Sequence, residues 1–300
     1  MIIQPPLLQK GDTIAIVCPA GFLPIEKALQ AKKVLEQWGF NVLLGKTVGN
    51  QHHYFSGTDA ERLADLQNML NNTTVKAIVF GRGGYGVSRI IDNINWTAFK
   101  QHPKWLVGFS DITLIHAHVY QQWQTASIHS LMAAAFQQPD SPYVQSILQA
   151  LTGKTKTIHH TANPLNICGT ATGTLIGGNL TLIAHTIGTS SAYQTKNCIV
   201  YLEDVGEYLY HIDRMLIQLK RAGFFNEVAA LILGGFSDLK DTVIPFGKSI
   251  EAILHTHFAD ANFPVCYQFP VGHTPENYAL RNGGTYHLAI SSEGVTLTEC

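Results

Sequence analysis

Two hydrophobic periods alternate along the first half of the chain. Thr13 to Cys18 (TIAIVC) is a β-branched run that reads as a buried strand, ended by Pro19-Ala20-Gly21. Pro24 to Trp38 places Ala28, Val34 and Leu35 on one side and predicts a helix. Asn41 to Leu44 is a second strand. Asp59 to Leu70 is a second helix, with Thr58 or Asp59 as its cap and acidic residues in its first turn. Val75 to Phe80 (VKAIVF) predicts a third strand, followed by Gly81-Arg82-Gly83-Gly84-Tyr85-Gly86 and a helical Val87 to Ile94. Trp105 to Gly108 predicts a fourth, running into Phe109-Ser110-Asp111 and a helical Ile112 to Trp123. Alternation of this kind predicts a parallel sheet covered on both faces.

The rhythm changes after Gly153. Lys154 to Gly178 is rich in Thr, Gly and Asn and reads as a linker followed by β-structure. Cys198 to Leu202 predicts a strand ending in Glu203-Asp204, His211 to Arg221 a helix, and Val228 to Leu233 and Val265 to Phe269 two further strands. Asn282-Gly283 and Glu293-Gly294 are turn signals that predict a pair of hairpins. The expected organisation is therefore an N-terminal α/β domain over residues 1–155 and a smaller β-rich domain over residues 156–300.

Composition narrows the class. Hydrophobic residues make up 46% of the 300 residues and charged residues only 14%, where about 25% charged is ordinary. Such a chain can bury a large core without disulfides, and its apolar excess suggests a surface covered by a twin subunit. Lys plus Arg is 20 and Asp plus Glu 21, a net charge of −1 with no basic run, which argues against nucleic-acid binding. The opening Met1-Ile2-Ile3-Gln4-Pro5-Pro6 lacks the basic region and apolar run of a signal peptide. The longest apolar stretch, Val228 to Phe236, is far below the ~18 residues of a membrane span. Five scattered cysteines with no C-x-x-C pair argue against a disulfide framework or zinc knuckle. The expectation is a cytoplasmic enzyme.

Four segments carry candidate chemistry. Gly81 to Gly86 satisfies G-x-G-x-x-G, but no acidic residue follows about 20 positions on, and the motif sits on the third strand rather than the first. It reads as a dinucleotide turn, a plain tight turn or an anion-binding loop. Ser110 stands where a strand meets a helix, a place that exposes a nucleophile and aims helix N–H groups at a developing oxyanion. Capping by Ser110 or Asp111 is the plainer alternative. The loops after two consecutive parallel strands would share the carboxyl edge, with one oxyanion donor from each. Glu203 or Asp204 supplies a candidate acid, the alternative being an ion pair with Arg214; His273 supplies a candidate base, the alternative being a structural histidine. The order serine, acid, histidine is one that catalytic triads use. Metal chemistry is set aside, because none of the paired histidines has H-E-x-x-H spacing.

Taken together, Gly83-Gly84-Tyr85-Gly86, Val107 to Thr113, Gly177-Gly178-Asn179-Leu180, Leu202 to Glu207 with Asp213-Arg214-Met215, and Pro270-Val271-Gly272-His273 resemble, in order, the LD-carboxypeptidase family. These are the serine peptidases of muropeptide recycling, with the microcin C7 self-immunity proteins as relatives. The resemblance implies a flavodoxin-like N-terminal domain, a β-rich C-terminal domain and a homodimer. It implies Ser110 as nucleophile, with Glu203 rather than Asp204, and His273, completing the triad, and N–H groups of Gly84 and Asp111 as oxyanion hole. No metal or cofactor is implied. The implied substrate is a murein tetrapeptide that loses its terminal D-alanine across an L,D bond, and Arg82 is the candidate for its carboxylate. The alternatives are an amidase acting on peptidyl- or aminoacyl-nucleotides, and a non-hydrolytic nucleotide-binding protein. One departure concerns specificity: relatives show a His-Gly-Pro-Met-like run where this chain has His129-Ser130-Leu131-Met132.

Overall fold

A computed structural model describes residues 2–154 and 157–300. The chain forms two compact units. One holds the chain through Lys154 together with Tyr278–Arg281; the other continues to Asn277 and takes Asn282–Cys300. The junction expected between 155 and 156 falls on residues outside those described.

In the first unit β1 (Thr13–Val17), α1 (Ile25–Gln37), β2 (Asn41–Leu44), α2 (Asp59–Asn71), β3 (Val75–Phe80), α3 (Thr97–Gln101), β4 (Trp105–Gly108), α4 (Thr113–Trp123), β5 (Ser127–His129) and α5 (Pro142–Thr152) follow one another. The strands are parallel in the order β2-β1-β3-β4-β5, the flavodoxin-like arrangement. Apart from the edge strand β2, whose Asn41 and Leu43 are exposed, they are buried on both faces and read as near-continuous apolar runs. Thr58 caps α2 with a reciprocal capping box to Glu61. Val87 to Ile94, expected as a helix, is instead two 3₁₀ turns, Val87–Arg89 and Ile91–Asn93. Gly86 offers no capping side chain there, and the Asn95 side chain accepts from the Thr97 N–H and ends the run.

The second unit has β6 (Thr157–Thr161), β7 (Gly169–Asn179), α6 (Leu180–Thr186), β8 (Cys198–Val205), α7 (Leu209–Arg221), β9 (Ala230–Ser237), α8 (Ile250–Phe258) and β10 (Val265–Cys266). After β11 (Leu280–Asn282) come β12 (Thr285–Ile290) and β13 (Gly294–Glu299). The sheet order is β10-β9-β8-β7-β12-β13-β6. β7 to β10 are parallel, so their carboxyl ends share one edge, while β12, β13 and β6 are antiparallel. β12 and β13 form the hairpin expected at Glu293-Gly294. The turn at Asn282-Gly283 does not form the other, because β11 lies beside β5 in the first sheet. The strand expected to reach Phe269 stops at Cys266, since Gln268 adopts a left-handed φ of 57°.

Candidate active site

Ser110 follows β4 at the carboxyl edge of the first sheet. Gly108 is closely packed, its Cβ position lying 3.1 Å from Ile112 and 3.2 Å from Phe80. Phe109 is extended and Ser110 turns into the left-handed region at φ 64°, before a 3₁₀ turn leads into α4. That conformation costs an L-residue roughly 1–3 kcal/mol and recurs at functional turns. The Gly108 carbonyl is fixed by His116 Nε2 at 2.8 Å and by the Ser130 N–H at 3.1 Å. Burial pushes the His116 imidazolium down to about 4, so the ring is neutral and Nε2–H donates.

The glycine segment expected beside this turn is there. Gly83 packs so closely that a Cβ on it would sit 2.8 Å from Ser110 Cβ and 2.9 Å from Oγ. Gly84 adopts φ 101° and Gly86 φ 150°, conformations open to glycine. Asp111 is buried, and neither it nor Ser110 caps the helix through its side chain. Its Oδ2 instead accepts from the Val87 N–H at 2.9 Å. Burial raises its carboxyl to about 6, against smaller lowering effects from that hydrogen bond and from Arg62. Arg62, which the sequence reading passed over, is fully buried; its guanidinium bonds the carbonyls of Pro19 and Gly86 and the Asp59 carboxylate. Arg82 is exposed, and its Nη1 donates to the Phe22 carbonyl at 3.1 Å, one of its five donors. The residues just after Ser130-Leu131 lie against the same loop: Met132 Cε is 3.3 Å from the Gly83 Cβ position, and the Ala134 N–H donates to the Gly81 carbonyl at 2.9 Å.

In the second unit, the end of β8 carries the two carboxylates on opposite faces, as neighbours on a strand must be. Glu203 is wholly buried, and His273 Nδ1 lies 2.6 Å from its Oε2. A carboxylate only accepts, so Nδ1 carries the proton and Nε2 is the basic nitrogen. The His273 N–H donates to the same oxygen at 3.2 Å, while Glu203 Oε1 has no hydrogen-bond partner among the described residues. Burial works against a charged His273, but the charge and hydrogen bond of Glu203, helped by Asp204 and Asp238, outweigh it and raise its pKa. Asp204 faces away. It accepts from Asn179 Nδ2 (2.8 Å), the Thr181 N–H (2.9 Å) and Thr181 Oγ1 (2.8 Å), and so ties down the start of α6. Burial, then the Glu203 charge, raises its carboxyl to about 6. Arg214, the alternative partner for these acids, stacks on the Tyr210 ring instead.

Two supports of this pair were not apparent from the sequence. Gly272 has φ 113°, and a Cβ there would come within 2.6 Å of Glu203 Cβ and 2.8 Å of Oε2. The buried Asn277 accepts from the Gly272 N–H at 3.1 Å and holds the bend. Residues on both sides of His273 also line a cavity of about 480 Å³, walled by Phe236, Leu254, Phe269 and Pro270 and bearing Glu251 and Glu276.

A serine on a strained strand-to-helix turn, packed against a glycine loop in a parallel α/β sheet, is a feature of serine hydrolases. Family models agree: the LD-carboxypeptidase N-terminal domain matches residues 14–130, and the LD-carboxypeptidase C-terminal domain residues 172–288. A probable murein peptide carboxypeptidase of Bacillus subtilis is 34% identical over 93% of this chain and 89% of its own. A murein tetrapeptide carboxypeptidase of Pseudomonas aeruginosa is 29% identical over 91% of both chains. The crystal structure of a muramoyltetrapeptide carboxypeptidase from Oxalobacter formigenes superposes with a TM-score of 0.87 at 28% identity, covering 96% of this chain and 98% of that one. The chain belongs to the LD-carboxypeptidase family and is a serine-type peptidase. No helix among the described residues is long and apolar enough to cross a membrane.

Proposed function

We propose that the protein hydrolyses the L,D peptide bond that releases terminal D-alanine from murein tetrapeptides, as a homodimer serving cell-wall recycling in the cytoplasm. Ser110 is the nucleophile, His273 the general base and Glu203 its orienting acid. The observation that carries the reading is the 2.6 Å bond between His273 Nδ1 and buried Glu203, which fixes the tautomer a base needs. Ser110 Oγ attacks the scissile carbonyl as its proton passes to Nε2, and the N–H groups of Gly84 and Asp111 take the oxyanion's charge. Collapse breaks the C–N bond, and the proton on Nε2 goes to the departing D-alanine amine. Water then adds to the ester carbonyl, giving its proton to His273, and Ser110 leaves with that proton. Arg82 is the proposed partner of the substrate's terminal carboxylate.

The test is incubation with L-Ala-γ-D-Glu-meso-diaminopimelyl-D-Ala followed by mass spectrometry, with EDTA and Ser110→Ala alongside. Loss of one alanine, insensitive to EDTA and absent in the variant, is expected. An intact tetrapeptide together with cleavage of an aminoacyl-sulfamoyl nucleoside replaces this reading with the amidase.

A further inference from the structure

We propose that the Asp111 side chain is a positioning residue: by holding the Val87 N–H it sets the separation of the two oxyanion donors. The inference rests on the reading of the Gly84 and Asp111 N–H groups as that oxyanion hole. Those donors come from different loops, one after β3 and one after β4, and glycines at φ 101° and 150° do little to hold the first loop in shape. Its restraints come from outside. The Gly83 carbonyl accepts from the Gly21 N–H at 3.1 Å, and the Gly86 carbonyl from Arg62 Nη1 at 3.0 Å. Both anchor the loop to β1's exit and to α2. The Ala134 N–H bond to the Gly81 carbonyl ties it to the segment after β5, and one further restraint, Val87 N–H to Asp111 Oδ2 at 2.9 Å, spans 24 residues and reaches the turn that carries Ser110.

Burying this carboxylate is costly. Asp111 is 1% exposed, its Oδ1 has no hydrogen-bond partner among the described residues, and its side chain does not cap α4. A residue whose contribution was its backbone N–H alone would need no acid there. The single bond its side chain makes to another loop is the one that aligns that N–H with the one on Gly84.

The test compares Asp111→Ala and Asp111→Asn by steady-state kinetics on the tetrapeptide and by amide hydrogen exchange over residues 83–89. The alanine variant loses kcat on the order of 10²-fold with KM within about threefold, the size of a misplaced oxyanion donor, and its loop amides exchange faster. Asparagine keeps an acceptor for Val87 but sets an NH₂ where Oδ1 finds no partner, so it recovers at least about a tenth of wild-type kcat. If Asp111→Ala does not fold, Asp111→Ser, too short to reach Val87, replaces it. The proposal is overturned by an alanine or serine variant with kcat within about threefold of wild type, by unchanged loop exchange, or by asparagine falling as far as alanine. Wild-type protein inert toward the tetrapeptide counts against the carboxypeptidase reading instead, and the exchange arm still decides the positioning role.

Discussion

Gly272→Ala isolates the support beneath the proposed base. The residue has φ 113°, outside the range an L side chain adopts without strain, at a cost of about 1–3 kcal/mol. Its new methyl would also start 2.6 Å from Glu203 Cβ and 2.8 Å from Cγ and Oε2. Neither neighbour yields easily, because Glu203 is buried on β8 and the Gly272 N–H is tied to Asn277. Overpacking of this kind adds about 1–3 kcal/mol, for a total of roughly 2–6 kcal/mol. Glu203 then swings off His273 Nδ1, and kcat falls on the order of 10²–10⁴-fold, the range ascribed to a positioned proton acceptor. Gly188→Ala is the control: its φ is 85° but nothing lies within 4 Å of its Cβ position, so it incurs backbone strain alone. Calorimetry and kinetics on both variants decide the matter. The reasoning fails if Gly272→Ala keeps wild-type kcat, or if the two variants behave alike.

Two further outcomes follow from the same unit. A base must be neutral to act, so kcat/KM falls as pH drops through the His273 pKa, which lies above the ordinary 6.5; Glu203→Gln removes the charge that holds the proton and moves this acid limb to lower pH, and an unmoved limb contradicts the pairing. Asp204→Ala strips acceptors from Asn179, the Thr181 N–H and Thr181 Oγ1, costing about 3–5 kcal/mol of stability while leaving the Glu203–His273 bond in place. An unchanged melting temperature contradicts its anchoring role.

The parts of this fold legible in the sequence are those fixed locally. TIAIVC and VKAIVF read as buried parallel strands because both of their faces are apolar, and Thr58 with Glu61 marks the start of α2 by a contact three residues long. The turn at Ser110 was legible for the same reason, as the place where a strand gives way to a helix. The choice between Glu203 and Asp204 was not legible from spacing and came only from the family resemblance. Adjacent strand residues point oppositely, and which face meets His273 is decided by a contact 70 residues away. Gly272, Arg62 and the Asp111–Val87 bond were hidden likewise, since each acts through a neighbour distant in the chain; Asn277 matters only because it holds Gly272. The Asn282-Gly283 turn misled because a turn signal fixes a change of direction and leaves open the sheet that the next strand joins.

The most direct test of the central claim is covalent trapping of Ser110. Intact-mass and peptide mapping after treatment with a fluorophosphonate should show one adduct per chain on Ser110, lost in Ser110→Ala and strongly slowed in His273→Ala. An adduct on another residue, or labelling of Ser110 at an equal rate without His273, contradicts the assignment of nucleophile and base.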